Sequence, residues 1–86
     1  MMMNYKIMLY NIREAREQLA EIEKELEDEN LSENAFHTKL EQAYHHLNFA
    51  WNIRHETTES YREMSDMNFN RWSRVPKQLK PFKIEK

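Results

Sequence analysis

The sequence predicts an all-α fold: an antiparallel, coiled-coil-like two-helix hairpin with a basic C-terminal tail, paired in a dimer as a four-helix bundle. Three observations predict it. Apolar residues recur in alternating steps of three and four through Tyr5, Met8, Ile12, Ala15, Leu19, Ile22 and Leu26, the narrow stripe of a helix that packs on one partner helix. The 86 residues hold no Gly, and Pro stands only at positions 76 and 81, so no Pro breaks a helix before Pro76. A short connection at Asn30 and Leu31 precedes Ser32, a residue suited to cap a second helix, and so short a link makes two long helices antiparallel neighbours.

The first helix is expected over about 4–29, because the 3.6-residue period holds that far. Its N-terminal half adds Ile7, Leu9 and Tyr10 off the stripe, which calls for a wider buried face. Its C-terminal half carries Glu21, Glu23, Glu25, Glu27, Asp28 and Glu29. Acids there oppose the helix dipole and favour fraying. Asn30 is the natural residue to take a left-handed backbone and end the helix. Leu31 and Phe36 then sit at the positions of a hydrophobic staple across the Ser32 cap.

The second helix is expected over about 33–64, with Phe36, Leu40, Ala43, Leu47 and Ala50 as its seam. Folding about residues 30–31 sets Leu26 near Phe36, Ile22 near Leu40, Leu19 near Ala43, Ala15 near Leu47 and Ile12 near Ala50, with small facing large in several layers. The seam weakens at Arg54 and Thr57 before Tyr61 and Met64 resume it. Beside it runs a second stripe, His37, Tyr44 and Trp51, and Phe49 and Ile53 add apolar surface elsewhere. One hairpin cannot cover all of these. Either a second hairpin does, or the chain's own C-terminal segment does, or they form an exposed face for a different partner.

Residues 61–72 allow two continuations: a helix running to Arg74, or a break near Ser65–Asp66 after which Met67, Phe69 and Trp72 fold back. The chain therefore divides into a hairpin, residues 1–66, and an aromatic, basic segment, residues 67–86. The first part holds 7 Lys+Arg against 14 Asp+Glu, the second 6 against 1. In the tail Arg71, Arg74, Lys77, Lys80 and Lys83 recur every third residue, one edge of an extended three-residue helix and a candidate contact for an anion or partner.

Little in the chain suggests catalysis. Without Gly there is neither a Gly-rich phosphate loop nor a nucleophile elbow, and two helices offer little concavity for a substrate. No cofactor is expected. His37, Glu41 and His45 stand four apart, the spacing of a metal site, but no Glu-x-x-His pair repeats across the helices, so the reading is surface pairs and no metal. Cys is absent and no apolar run spans a bilayer, so the expected address is cytoplasmic with no membrane association. The function expected is a non-enzymatic protein–protein interaction or regulatory module acting as a homodimer, with Tyr44, Trp51, Tyr61, Phe69 and Trp72 as the self-association surface. The alternative is a nucleic-acid or ribonucleoprotein accessory factor working through the tail, which the acidic body disfavours.

Overall fold

The structure, a computed structural model, describes residues 2–79. Among these residues four helices follow one another: α1 (Tyr5–Glu27), α2 (Glu33–Asn52), α3 (Thr58–Arg62) and α4 (Asp66–Trp72). No strand occurs among the described residues. Helices α1 and α2 pack along their length as the hairpin, and the remainder forms an arm folded back on it.

Each helix begins with a side-chain cap. Asn4, Ser32, Thr57 and Ser65 accept from the backbone N–H groups of Ile7, Ala35, Ser60 and Asn68, satisfying donors that have no partner within the helix. The end of α1 is a Schellman closure: Glu29 N–H donates to Leu26 O at 3.1 Å and Asn30 N–H to Glu25 O at 2.9 Å. The left-handed residue is Glu29, with φ 52°. It stands one position before the expected Asn30, because the helix stops at Glu27 and the closure needs its left-handed residue two places later.

The expected helix over 33–64 is corrected: α2 ends at Asn52. The break falls where the seam weakens, beside the start of α1. Asn4 seizes it from there. Its backbone N–H donates to Arg54 O at 2.6 Å, and its Nδ2 donates to Glu56 O at 2.9 Å and Thr58 Oγ1 at 3.2 Å. A continuous α2 would instead overhang α1 by several turns, with its apolar residues in water. A second break precedes α4 at Ser65, so the continuous helix to Arg74 does not form; of the residues expected to fold back, Trp72 is buried, Phe69 half-exposed and Met67 exposed.

The core lies between the hairpin and the arm. Ile7, Phe49, Ile53 and Trp72 are buried together, with Met8, Tyr61 and Met64 packed against them. Trp72 is 2 % exposed. It meets Phe49 edge-on at 6.2 Å between centroids and stacks on Tyr61 at 6.2 Å.

This core turns the hairpin about its own seam. Of the expected stripe, Ala15, Ile22, Ala43 and Ala50 are buried, but Ile12, Leu19, Leu26, Leu40 and Leu47 are 40–53 % exposed. Facing α2 instead is a line through Ile7, Asn11, Ala15, Gln18 and Ile22. Burying Ile7, Phe49 and Ile53 under Trp72 outweighs burying the leucines, since large aromatics remove the most area from water.

Candidate interaction surface

The hairpin has two broad sides, and the arm closes one. A polar lock fixes it there. Asn11 is fully buried; its Nδ2 donates to Ile7 O at 3.0 Å and to the Tyr61 hydroxyl at 3.2 Å. Its Oδ1 lies 3.1 Å from His46 Nδ1, so that ring nitrogen carries the proton and donates. Next to it His45 lies against Phe49 at 4.3 Å and Phe69 at 5.4 Å. Burial, and then the neighbouring His46, hold the His45 imidazole below its ordinary pKa of 6.5.

Beyond Trp72 the chain passes behind α2. Asn48 Nδ2 donates to Ser73 O and Arg74 O, at 3.0 and 3.1 Å, and Asn52 Nδ2 to Trp72 O and Arg74 O, at 2.6 and 2.7 Å. Four residues apart on one helix, these two amides stand one above the other. They lead the chain round to the opposite side, where Leu79 joins Met8, Ile12, Leu47, Ala50 and Trp51 around a cleft of about 340 Å3.

That opposite side is open. Ile12, Leu19 and Leu26 stand seven apart on α1, and Leu40 and Leu47 seven apart on α2. Seven residues are nearly two turns, so each set makes a straight row, and together the rows form an apolar band along the hairpin. Tyr44 continues the band exposed, and Trp51 lies half-covered under the Arg54 guanidinium, 3.7 Å from the ring. Lys39 of α2 bridges to Glu25 of α1; that carboxylate raises the Lys39 pKa above its ordinary value.

The expected self-association residues are divided by the fold. Tyr44 and Trp51 lie on the open side. Tyr61 and Trp72 pack inside the chain's own core, and Phe69, half-exposed, lies against His45 on the closed side. The rows of Ile and Leu, expected as seam, are surface. Nothing in the spacing marks Asn11, Asn48 and Asn52, although Asn11 stands in helical register with Ile7 and Ala15.

The tail residues Arg71, Arg74 and Lys77 are exposed; Lys80 and Lys83 lie outside the described residues. Arg71 donates to Asn68 Oδ1 at 3.2 Å, and its guanidinium carbon is 6.0 Å from the Trp72 ring. His37 pairs with Glu41 at 3.1 Å in full solvent, while His45 turns to the aromatics. Among the described residues no three His, Cys, Asp or Glu are grouped to hold a metal, and no helix is long and apolar enough to cross a membrane. A scan against models of known protein families and searches of characterised proteins and of solved structures gave no match.

Proposed function

We propose that the chain is a small non-enzymatic interaction module that acts in the cytoplasm as a homodimer, two hairpins meeting through their open bands as a four-helix bundle. The observation that carries the reading is the pair of rows, Ile12, Leu19 and Leu26 beside Leu40 and Leu47, left 40–53 % exposed on one side of a hairpin whose other side is closed. Burying a Leu or Ile fully stabilises by roughly 1.5–3 kcal/mol, so five half-exposed ones leave about 5 kcal/mol unrealised. That is a large part of the stability of a domain this size. A second copy supplies a band of the same length and chemistry, as a two-fold interface requires. Tyr44 and Trp51 extend it at the edge. The closed side, with Tyr61 and Trp72, stays within each copy.

Leu19→Asp and Leu47→Asp test this. Each puts a carboxylate in the interface yet at a solvent-reachable site of the single chain. Sedimentation equilibrium at micromolar concentration is expected to show a wild-type dimer and monomeric variants, with circular dichroism showing retained helix. Ile53→Asp, in the core, is expected to unfold the chain by contrast. A wild-type chain that remains a monomer at every concentration sinks the reading.

A further inference from the structure

We infer that the second copy docks antiparallel, α1 against α1, with its hairpin turn over the first copy's open end. The inference rests on the self-association proposed above and adds its direction.

The first ground is charge. Residues 18–42, the turn end, hold 2 Lys+Arg against 8 Asp+Glu. Residues 1–17 and 43–79, which make up the other end, hold 8 against 6. Each hairpin is thus acidic at its turn and mildly basic at its open end. Two-fold pairing of such hairpins has two forms. With the axis along the helices, α1 lies over the partner's α2 and both acidic turns share one end. With the axis across the helices, α1 lies over the partner's α1 and each acidic turn meets a basic end. Like charges set together cost binding and opposite charges steer it, so the second form is favoured.

The second ground is register. The α1 row is centred on Leu19, so an axis through it sets Leu19 against the partner's Leu19 and Ile12 against the partner's Leu26. Arg16 and Glu23 flank this row. Seven apart, they lie on one line along α1, both exposed, and neither forms an ion pair with another described residue. Antiparallel pairing about Leu19 brings Arg16 of each copy beside Glu23 of the other, twice per dimer. The same pairing leaves α3 and α4 untouched on the far side, with Leu79 at the edge of the band beside Ile12 and Leu47.

Charge reversal and cross-linking test the direction apart from the dimer itself. Arg16→Glu and Glu23→Arg are each expected to weaken the dimer about tenfold at low salt, by creating like-charge pairs. The double variant restores the contacts and is expected within about threefold of wild type. The chain has no Cys, so single introduced thiols report cleanly. Leu19→Cys is expected to form a disulfide-linked dimer on oxidation, and a mixture of Ile12→Cys and Leu26→Cys a mixed one. A dimer in which Leu26→Cys instead links to Leu40→Cys, or in which the double reversal is weaker than either single one, overturns the antiparallel direction while leaving self-association standing. A chain that never dimerises overturns both.

Discussion

Glu29 carries a backbone conformation that its side chain does nothing to favour. A left-handed residue with a Cβ costs about 1–2 kcal/mol, which glycine avoids. Here the Schellman closure holds Glu29 at φ 52° all the same, in a chain without a single Gly. Glu29 also adds a sixth acid to the run at the end of α1, where the dipole already disfavours anions. Glu29→Gly is therefore expected to stabilise the chain by about 1 kcal/mol, read as a shift in the urea midpoint at unchanged slope. That a residue here would turn left-handed was legible in the sequence from the missing glycine and the nearby Asn30. Which residue was not, because it depends on where the last helical hydrogen bond falls. Asn11 is illegible for a related reason. Its amide partners come from elsewhere in the fold, His46 from α2 and Tyr61 from the arm, and nothing local to Asn11 announces them.

At the scale of elements, the polar contacts that hold the arm beside its Trp72 core are made by neutral amides. Asn4 takes its start, Asn11 the Tyr61 hydroxyl, and Asn48 and Asn52 its last described turn. Asn52→Ala removes the amide hydrogen bonds to the half-buried Trp72 carbonyl and the exposed Arg74 carbonyl without touching the Trp72 core. Leaving carbonyls unpaired costs about 1–3 kcal/mol. The expected result is faster amide exchange confined to α4 and the segment after it, with α1 and α2 unchanged. Equal acceleration in all four helices would mean that arm and hairpin open as one unit. Helix periodicity made α1 and the start of α2 legible. It also carried α2 too far, since Tyr61 and Met64 keep the register that Phe36 began. The hint to the contrary was Arg54 and Thr57, a charge and a β-branched capping residue on the line where apolar residues belong.

For the whole molecule, the hairpin was legible and its rotation was not. A stripe spaced three and four fixes which helices meet but leaves the side to which each turns its edge undecided. That choice is made by Phe49, Ile53 and Trp72, and Trp72 joins them only through long-range folding. The same docking gives the molecule a dependence on acid. His45 lies between α2 and α4 against Phe49 and Phe69, with His46 beside it and Glu41 and Gln18 on the rim of the adjoining cleft. Its pKa is lower folded than unfolded, so the unfolded chain binds the proton more readily. The stability this site contributes is fully present above the unfolded pKa of about 6.5 and is lost as pH falls through the folded value. The melting temperature is expected to be lower at pH 5 than at pH 7.5, and His45→Gln to flatten that slope. An equal slope in the variant would take the effect away from His45.

The wrap of the arm around α2 also sets an order in time. Contacts within α1 and α2 are local and form early, whereas Asn4 waits for Thr58 and Asn11 for Tyr61, some 50 residues away in the chain. The hairpin, whose contacts are nearer in sequence, forms before Trp72 docks on it. For that interval both its sides are bare: the band that a second copy is proposed to fill, and the Ile7, Phe49 and Ile53 surface that only Trp72 covers. Two nascent hairpins that meet then can choose the wrong side, or one can receive the other's arm across the short segment between α2 and α3. The four asparagines discriminate against the first error, since an apolar surface from a neighbour cannot answer their amides. They do nothing against the second, because an exchanged arm offers the same carbonyls. Arm exchange is the misassembly to which this architecture is most open.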